Sequence, residues 1–137
     1  MIEAKLQSVK GKSRFDEIFK TGQRFNNKDC ICFVKFEENP SEGSLNERRI
    51  IYYTVAISKK IAKKAVVRNR IKRLLRESLR QILKTDSNLF NGISEFVIIW
   101  RWAPKHRSLV RLKEVKDSVN NVLQKSQFFQ INVEKKI

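Results

Sequence analysis

IIYYTVAISKKIAKKAVVRNRIKRLLRESLRQILK, residues Ile50 to Lys84, reads as two elements of opposite character joined by a cationic link. Residues 50–57 are β-branched and aromatic, which predicts a strand. From residue 64 the apolar period lengthens. With Val67 at zero and ~100° per residue, Ile71, Leu74, Leu75, Ser78 and Ile82 fall between about −20° and +80°. Asn69, Arg70, Lys72, Arg73, Arg76, Arg80 and Lys84 fall between about 140° and 300°. The spacing predicts a helix over 64–84 that docks one apolar face on a sheet and turns a cationic face outward.

Working outward, CICFVKF (30–36) and FVIIWRW (96–102) carry the same strand composition. A helix between the strands at 50–57 and 96–102 implies a parallel crossover. The polar stretch EENPSEGSLNER (37–48) is predicted as a loop joining the strands at 30–36 and 50–57 in a hairpin. SRFDEIFKTG (13–22) is a short helix, with Ser13 able to cap it, Phe15, Ile18 and Phe19 on one face, and Gly22 able to stop it. Another short strand fits near residues 24–28, and residues 85–95 read as a loop. Leu109, Leu112, Val115, Val119, Val122 and Leu123 predict a helix over 109–123. These elements give one α+β domain over residues 1–123, a mixed sheet with helices packed on it. Residues 124–137 form a tail whose structure the pattern leaves open.

The chain has 137 residues, 30 Lys plus Arg and 14 Asp plus Glu, a net charge of +16. Eleven of the basic residues lie in the 26 positions from Lys59 to Lys84, where even spreading would put about six, and Glu77 is the one acid among them. Like charges at i, i+4, such as Arg76 and Arg80, weaken an isolated helix by a few tenths of a kcal/mol. A polyanion partner removes that cost. Arginine forks hold phosphates in paired bonds and stack on bases, which favours structured nucleic acid over a lipid surface. No apolar run reaches the ~18 residues of a membrane span, and no secretory signal is visible, so a cytoplasmic protein is expected. Cys30 and Cys32 share a strand face and read as small core residues kept reduced; two cysteines do not make a zinc set. His106 is the single histidine, and it reads as a surface or RNA-contact group. Trp100 and Trp102 share a strand face and read mainly as packing residues. No phosphate-binding glycine loop occurs, so nucleotide cofactors have no support.

SKKIAKKAVVRNRIKRLLRESLR (58–80) closely resembles the signature of the bacterial ribonuclease P protein family, through Ala65, Val66, Arg68, Asn69, Arg70, Lys72, Arg73, Arg76 and Glu77 in the family's spacing. RFDEIFKTG resembles the family's N-terminal helix through Phe15, Phe19 and Gly22, and FVIIWRW its last apolar strand. The likeness covers about residues 6–123. One departure is the strand before the SKK run, where the family's R-[IV]-G-[LF] is replaced by Tyr52, Tyr53, Thr54 and Val55.

The resemblance implies a two-layer α/β sandwich with a left-handed βαβ crossover, against the general right-handed rule. It implies a protein subunit that pairs with a catalytic RNA to remove 5′ leaders from precursor tRNA, an endonucleolytic hydrolysis performed by the RNA. No catalytic residue, metal or cofactor is then expected on the protein, and magnesium is expected for the RNA-catalysed step. Arg68, Asn69, Arg70, Lys72, Arg73 and Arg76 map to the catalytic-RNA surface. Phe15, Phe19 and Phe33, with Lys59 and Lys60, map to a cleft for the single-stranded leader. For Phe15 and Phe19 the spacing alone fits core packing as well as a stacking platform. Two other classes share parts of this pattern. A structural RNA-binding protein such as a ribosomal protein would share the charge and the α/β layout, and a helix-turn-helix DNA binder would need a helix where the strand at 50–57 stands. The sequence leaves the oligomeric state open.

Overall fold

A computed structural model of the chain describes residues 4–9, 12–37, 49–103 and 110–135. Five strands form one sheet: β1 (Ala4–Ser8), β2 (Gln23–Asn26), β3 (Cys30–Phe36), β4 (Arg49–Ile57) and β5 (Ile93–Trp100). Three α-helices accompany them: α1 (Lys12–Thr21), α2 (Ala65–Thr85) and α3 (Leu112–Lys135), with a 3-10 turn at Ser87–Phe90. The strand order is β1-β4-β5-β3-β2. β4 runs parallel to both β1 and β5, while β3 is antiparallel to β5 and to β2. The mixed sheet and the parallel β4–α2–β5 unit are those expected from the sequence.

Alternation along the strands divides the sheet into two faces. Cys30, Cys32 and Val34 of β3, Ile51, Tyr53, Val55 and Ile57 of β4, and Phe96, Ile98 and Trp100 of β5 face one way and are buried. α2 lays Val67, Ile71, Leu75, Leu79 and Ile82 on this layer, and α3 adds Val115, Val119, Val122 and Leu123. Ser78 is buried among them with its hydroxyl donating to Leu74 O (2.7 Å). Burial pushes the Cys30 thiol up to about 12, with the Asp29 carboxylate adding to the rise. Burial also raises Cys32 well above the usual thiol range. The pair are packing residues, as the sequence suggests. α1 packs on the opposite, open face, against β3 and β5.

Several expectations are corrected. β3 and β4 do not form a hairpin, because β5 lies between them; period-2 patterns identify strands and say nothing about which neighbour each will take. The connecting loop falls mostly at residues 38–48, outside the described residues. β1 was not foreseen, since five residues with one strong apolar side chain, Leu6, carry little signal. α1 starts at Lys12, which places Ser13 inside its first turn rather than at the cap. Gly22 does stop it: the Gly22 N–H donates to Ile18 O (2.8 Å), and a Cβ there would lie 2.6 Å from that oxygen. β5 begins at residue 93 and ends at 100, so residues 101 and 102 leave the strand. Residues 85–95 hold the 3-10 turn and Gly92 at φ 77°, a left-handed conformation that favours glycine.

The tail, which the sequence pattern leaves open, is helical through Lys135. α3 starts at Leu112 and runs into it without a break. Its buried stripe of Val115, Val119, Val122 and Ser126 runs on to Phe129, which stacks with Phe36 and meets Phe25 edge-on. Gln127 Nε2 donates to Leu89 O (3.0 Å) and Asn91 O (2.8 Å). The buried serine interrupts the apolar pattern where the helix is in fact held by tertiary bonds. Pro104 and His106 lie outside the described residues.

Candidate RNA interface

α2 is assembled with little internal neutralisation of its charge. No acid stands in its first turn, and its N-cap, Lys64, makes no side-chain cap bond. The positive end of the helix dipole therefore adds to Lys63 and Lys64 instead of being offset. Arg68 supplies part of the missing order: its Nη1 donates to Ala62 O (2.8 Å) and Lys63 O (2.9 Å), pinning the turn that leads from β4. Arg70 Nη2 donates to Val110 O (3.1 Å) and ties α2 to the approach to α3. Both arginines of the R-N-R run thus hold backbone, a task the sequence did not announce.

Farther along, the cations face outward. Lys72, Arg73 and Arg76 make no hydrogen bond or ion pair with a described residue. Together with Asn69 and Arg80 they form one wall of a groove whose other side is Leu6 of β1 and Tyr53 of β4. Those two residues were not among the expected site residues, because Leu6 belongs to the strand that the pattern did not reveal. Glu77 is taken up by its own helix: it accepts from Gln81 (3.2 Å) and, with a smaller effect, pairs with Arg80, bonds that hold its carboxyl below the usual range. The groove is thereby left to like charges and to the apolar Leu6, Tyr53 and Leu83.

The second set of residues lies on the open sheet face. Phe15 and Phe19 of α1 meet edge to face at 4.5 Å, and Phe19 meets Phe33 of β3 in the same way at 4.4 Å. The three rings form one continuous run. Ile18, between them in sequence, takes the buried position (1 % exposed), so Phe19 remains 37 % exposed. Register places Phe33 beside Val97 and Val97 beside Thr54, a small-residue floor next to the rings. Lys35 and Glu17 bridge the strand and α1 at 3.4 Å. Lys59 and Lys60 are exposed on the turn past the end of β4. The strand ends at Ile57, three residues or about 10 Å beyond Thr54 at ~3.3 Å per residue, and the lysines lie past that end, at the border of the face.

A basic helix on one side of a sheet and an exposed run of phenylalanine rings on the other give the architecture of a small α/β RNA-binding subunit. Comparison with known proteins fixes the family. The Ribonuclease P sequence profile matches residues 4–127, and the chain belongs to that family. It is 32 % identical over 118 residues to the ribonuclease P protein component of Clostridium kluyveri, covering 86 % of this chain and 92 % of that protein. It is 29 % identical to that of Bacillus pumilus, covering 92 % of each. The structure of the RNase P protein from Thermotoga maritima superposes with a TM-score of 0.63 at 20 % identity, over 87 % of this chain and 96 % of that one.

Proposed function

We propose that the chain serves as the protein subunit of ribonuclease P, gripping the catalytic RNA with α2 and the 5′ leader of precursor tRNA on the open face of the sheet. One observation carries this reading: two surfaces suited to two kinds of RNA occupy opposite faces of the same sheet. A structured RNA is recognised mostly through its backbone and shape, which suits a rigid helix with Lys72, Arg73 and Arg76 unneutralised. A single strand of variable sequence suits a run of rings beside basic groups, since every base has a stacking face. Phe15, Phe19 and Phe33 supply the rings, and Lys59 and Lys60 supply charge toward one end. Arg68 and Arg70 brace the helix by holding backbone carbonyls.

Among the described residues no group of three or more His, Cys, Asp or Glu could hold a metal ion, and no described helix is long and apolar enough to cross a membrane. We assign the hydrolytic step to the RNA and its magnesium because that is what the family resemblance implies, with the protein positioning substrate and screening RNA–RNA repulsion. The test is reconstitution. Purified protein with magnesium and precursor tRNA should cleave nothing. Adding the catalytic RNA should give cleavage at the leader junction, at lower magnesium than the RNA needs alone. Leader removal by rigorously RNA-free protein would overturn this assignment.

A further inference from the structure

A cleft of about 530 Å³ opens where the β2–β3 turn, the end of β5 and the first turns of α3 meet. Its lining is unlike the rest of this +16 chain, since it includes three carboxylates, Asp29, Glu114 and Asp117, together with the rings of Trp100 and Trp102. Asp29 is already committed. Its Oδ1 accepts the Trp102 Nε1–H (2.8 Å) and its Oδ2 accepts the Ser118 hydroxyl, which fixes the Trp102 indole at the cleft. Glu114 and Asp117 are exposed and bond to no described residue. They stand three apart on α3 and so share a face. The helix dipole accounts for Glu114 in the first turn but not for Asp117, which lies past it. Deeper in, Trp100 is fully buried and its Nε1–H has no acceptor among the described residues, a condition that costs stability unless something supplies one.

These groups specify a ligand. It must donate hydrogen bonds to carboxylates, offer an acceptor, and present a flat face to an indole. A metal ion has no flat face, and a lysine or arginine side chain has no acceptor. A nucleobase has all three, and guanine alone among the four carries two adjacent donors, N1–H and N2–H, that a single carboxylate can take together. Lys28 sits in the lining, and Arg101 and Arg111 are exposed in the flanking segments, so the acceptor-rich cleft has cations near it for the attached phosphates. Ile57 pairs with Trp100, which puts the cleft at the sheet end where the chain leaves β4 for α2. We propose that this cleft receives an unpaired guanine base of the bound RNA, an inference that rests on the RNA-binding reading above and names a further contact within it.

Trp100 and Trp102 are the two tryptophans of the chain, so intrinsic emission reports on this cleft. The full-length protein is titrated in turn with GMP, AMP, CMP, UMP and magnesium chloride. GMP should quench saturably, and the other three, which share its phosphate, should bind at least ~10-fold more weakly. The double substitution Glu114→Gln with Asp117→Asn should weaken GMP at least ~10-fold, as loss of charged hydrogen bonds requires, with circular dichroism unchanged. Equal response to all four nucleotides, no response to GMP, or a response to magnesium alone that the double substitution removes would each overturn the proposal. Arg73→Ala separates the two readings: it should leave GMP quenching intact while weakening the catalytic RNA. Loss of GMP quenching in that variant would assign the nucleotide to α2 and overturn the cleft. Retained quenching with undiminished RNA binding would count against α2 alone.

Discussion

The two faces of the sheet are made from alternate residues of the same strands, yet they end in different states. On the helix-covered face Cys30, Cys32, Val34, Ile51, Phe96, Ile98 and Trp100 have no exposed surface. On the open face their immediate neighbours Ile31, Phe33, Lys35, Tyr52, Thr54 and Ile99 are half-buried, because α1 is ten residues long and cannot cover five strands. The difference teaches that this fold assigns stability and recognition to opposite sides of one backbone. A substitution moved by a single residue along β3 should change which property it damages.

The largest effect that tests this contrast comes from the covered side. Leu75→Ala removes a fully buried α2 side chain that packs on the sheet. It should cost ~2–5 kcal/mol in chemical denaturation, enough to threaten a domain of ordinary stability. Unfolding midpoints close to the parent would show that α2 is not a structural layer.

Next comes the outward side of that same helix. Replacing Lys72, Arg73 and Arg76 together with Ala should leave the unfolding midpoint nearly unchanged. The slope of log affinity for the catalytic RNA against log salt should drop by about 2–3 units, at roughly 0.7–0.9 per phosphate contact. An unchanged slope would remove α2 from the RNA surface.

Phe33→Ala should fall between. Loss of one stacking ring should cost on the order of 1–3 kcal/mol in binding precursor tRNA, while mature tRNA, lacking a leader, binds as before. Equal weakening of both substrates would mean that the open face works as core. The smallest effect belongs to Glu17→Gln, which breaks the partly exposed pair with Lys35. It should change stability by less than ~1 kcal/mol; a larger loss would show that α1 is fastened to β3 by that pair rather than by Ile18 and the phenylalanines.

The legible parts of the molecule were those with strong periodicity. β3 was readable to the residue from CICFVKF, and α2 to within one residue at each end, because one stripe and one cationic face coincide there. What escaped depended on distant partners. β1 exists because Ile51 and its neighbours offer a parallel edge, and five residues cannot announce that. The far half of α3 is helical because Phe129 finds Phe25 and Phe36 and Gln127 finds two carbonyls. In the candidate site, the resemblance brought out residues by type, and the structure separated their tasks. Arg68 and Arg70 hold main-chain carbonyls, whereas Lys72, Arg73 and Arg76 do not. That distinction depends on where the 58–64 turn and Val110 come to rest, which no local pattern encodes.

The position of β5 has a consequence for how the protein comes into being. It is the middle strand of the sheet and the last of the five to be synthesised, with β4 and β3 waiting on either side. Until residue 100 leaves the ribosome, both carry unpaired edges toward an empty slot, the kind of exposure that invites pairing between nascent chains. Residues 49–85 emerge before that slot is filled, and they include the whole of α2 with all its cations. Mutual repulsion among incomplete copies would then keep their open edges apart, so the charge that suits an RNA partner also protects the chain during its own synthesis.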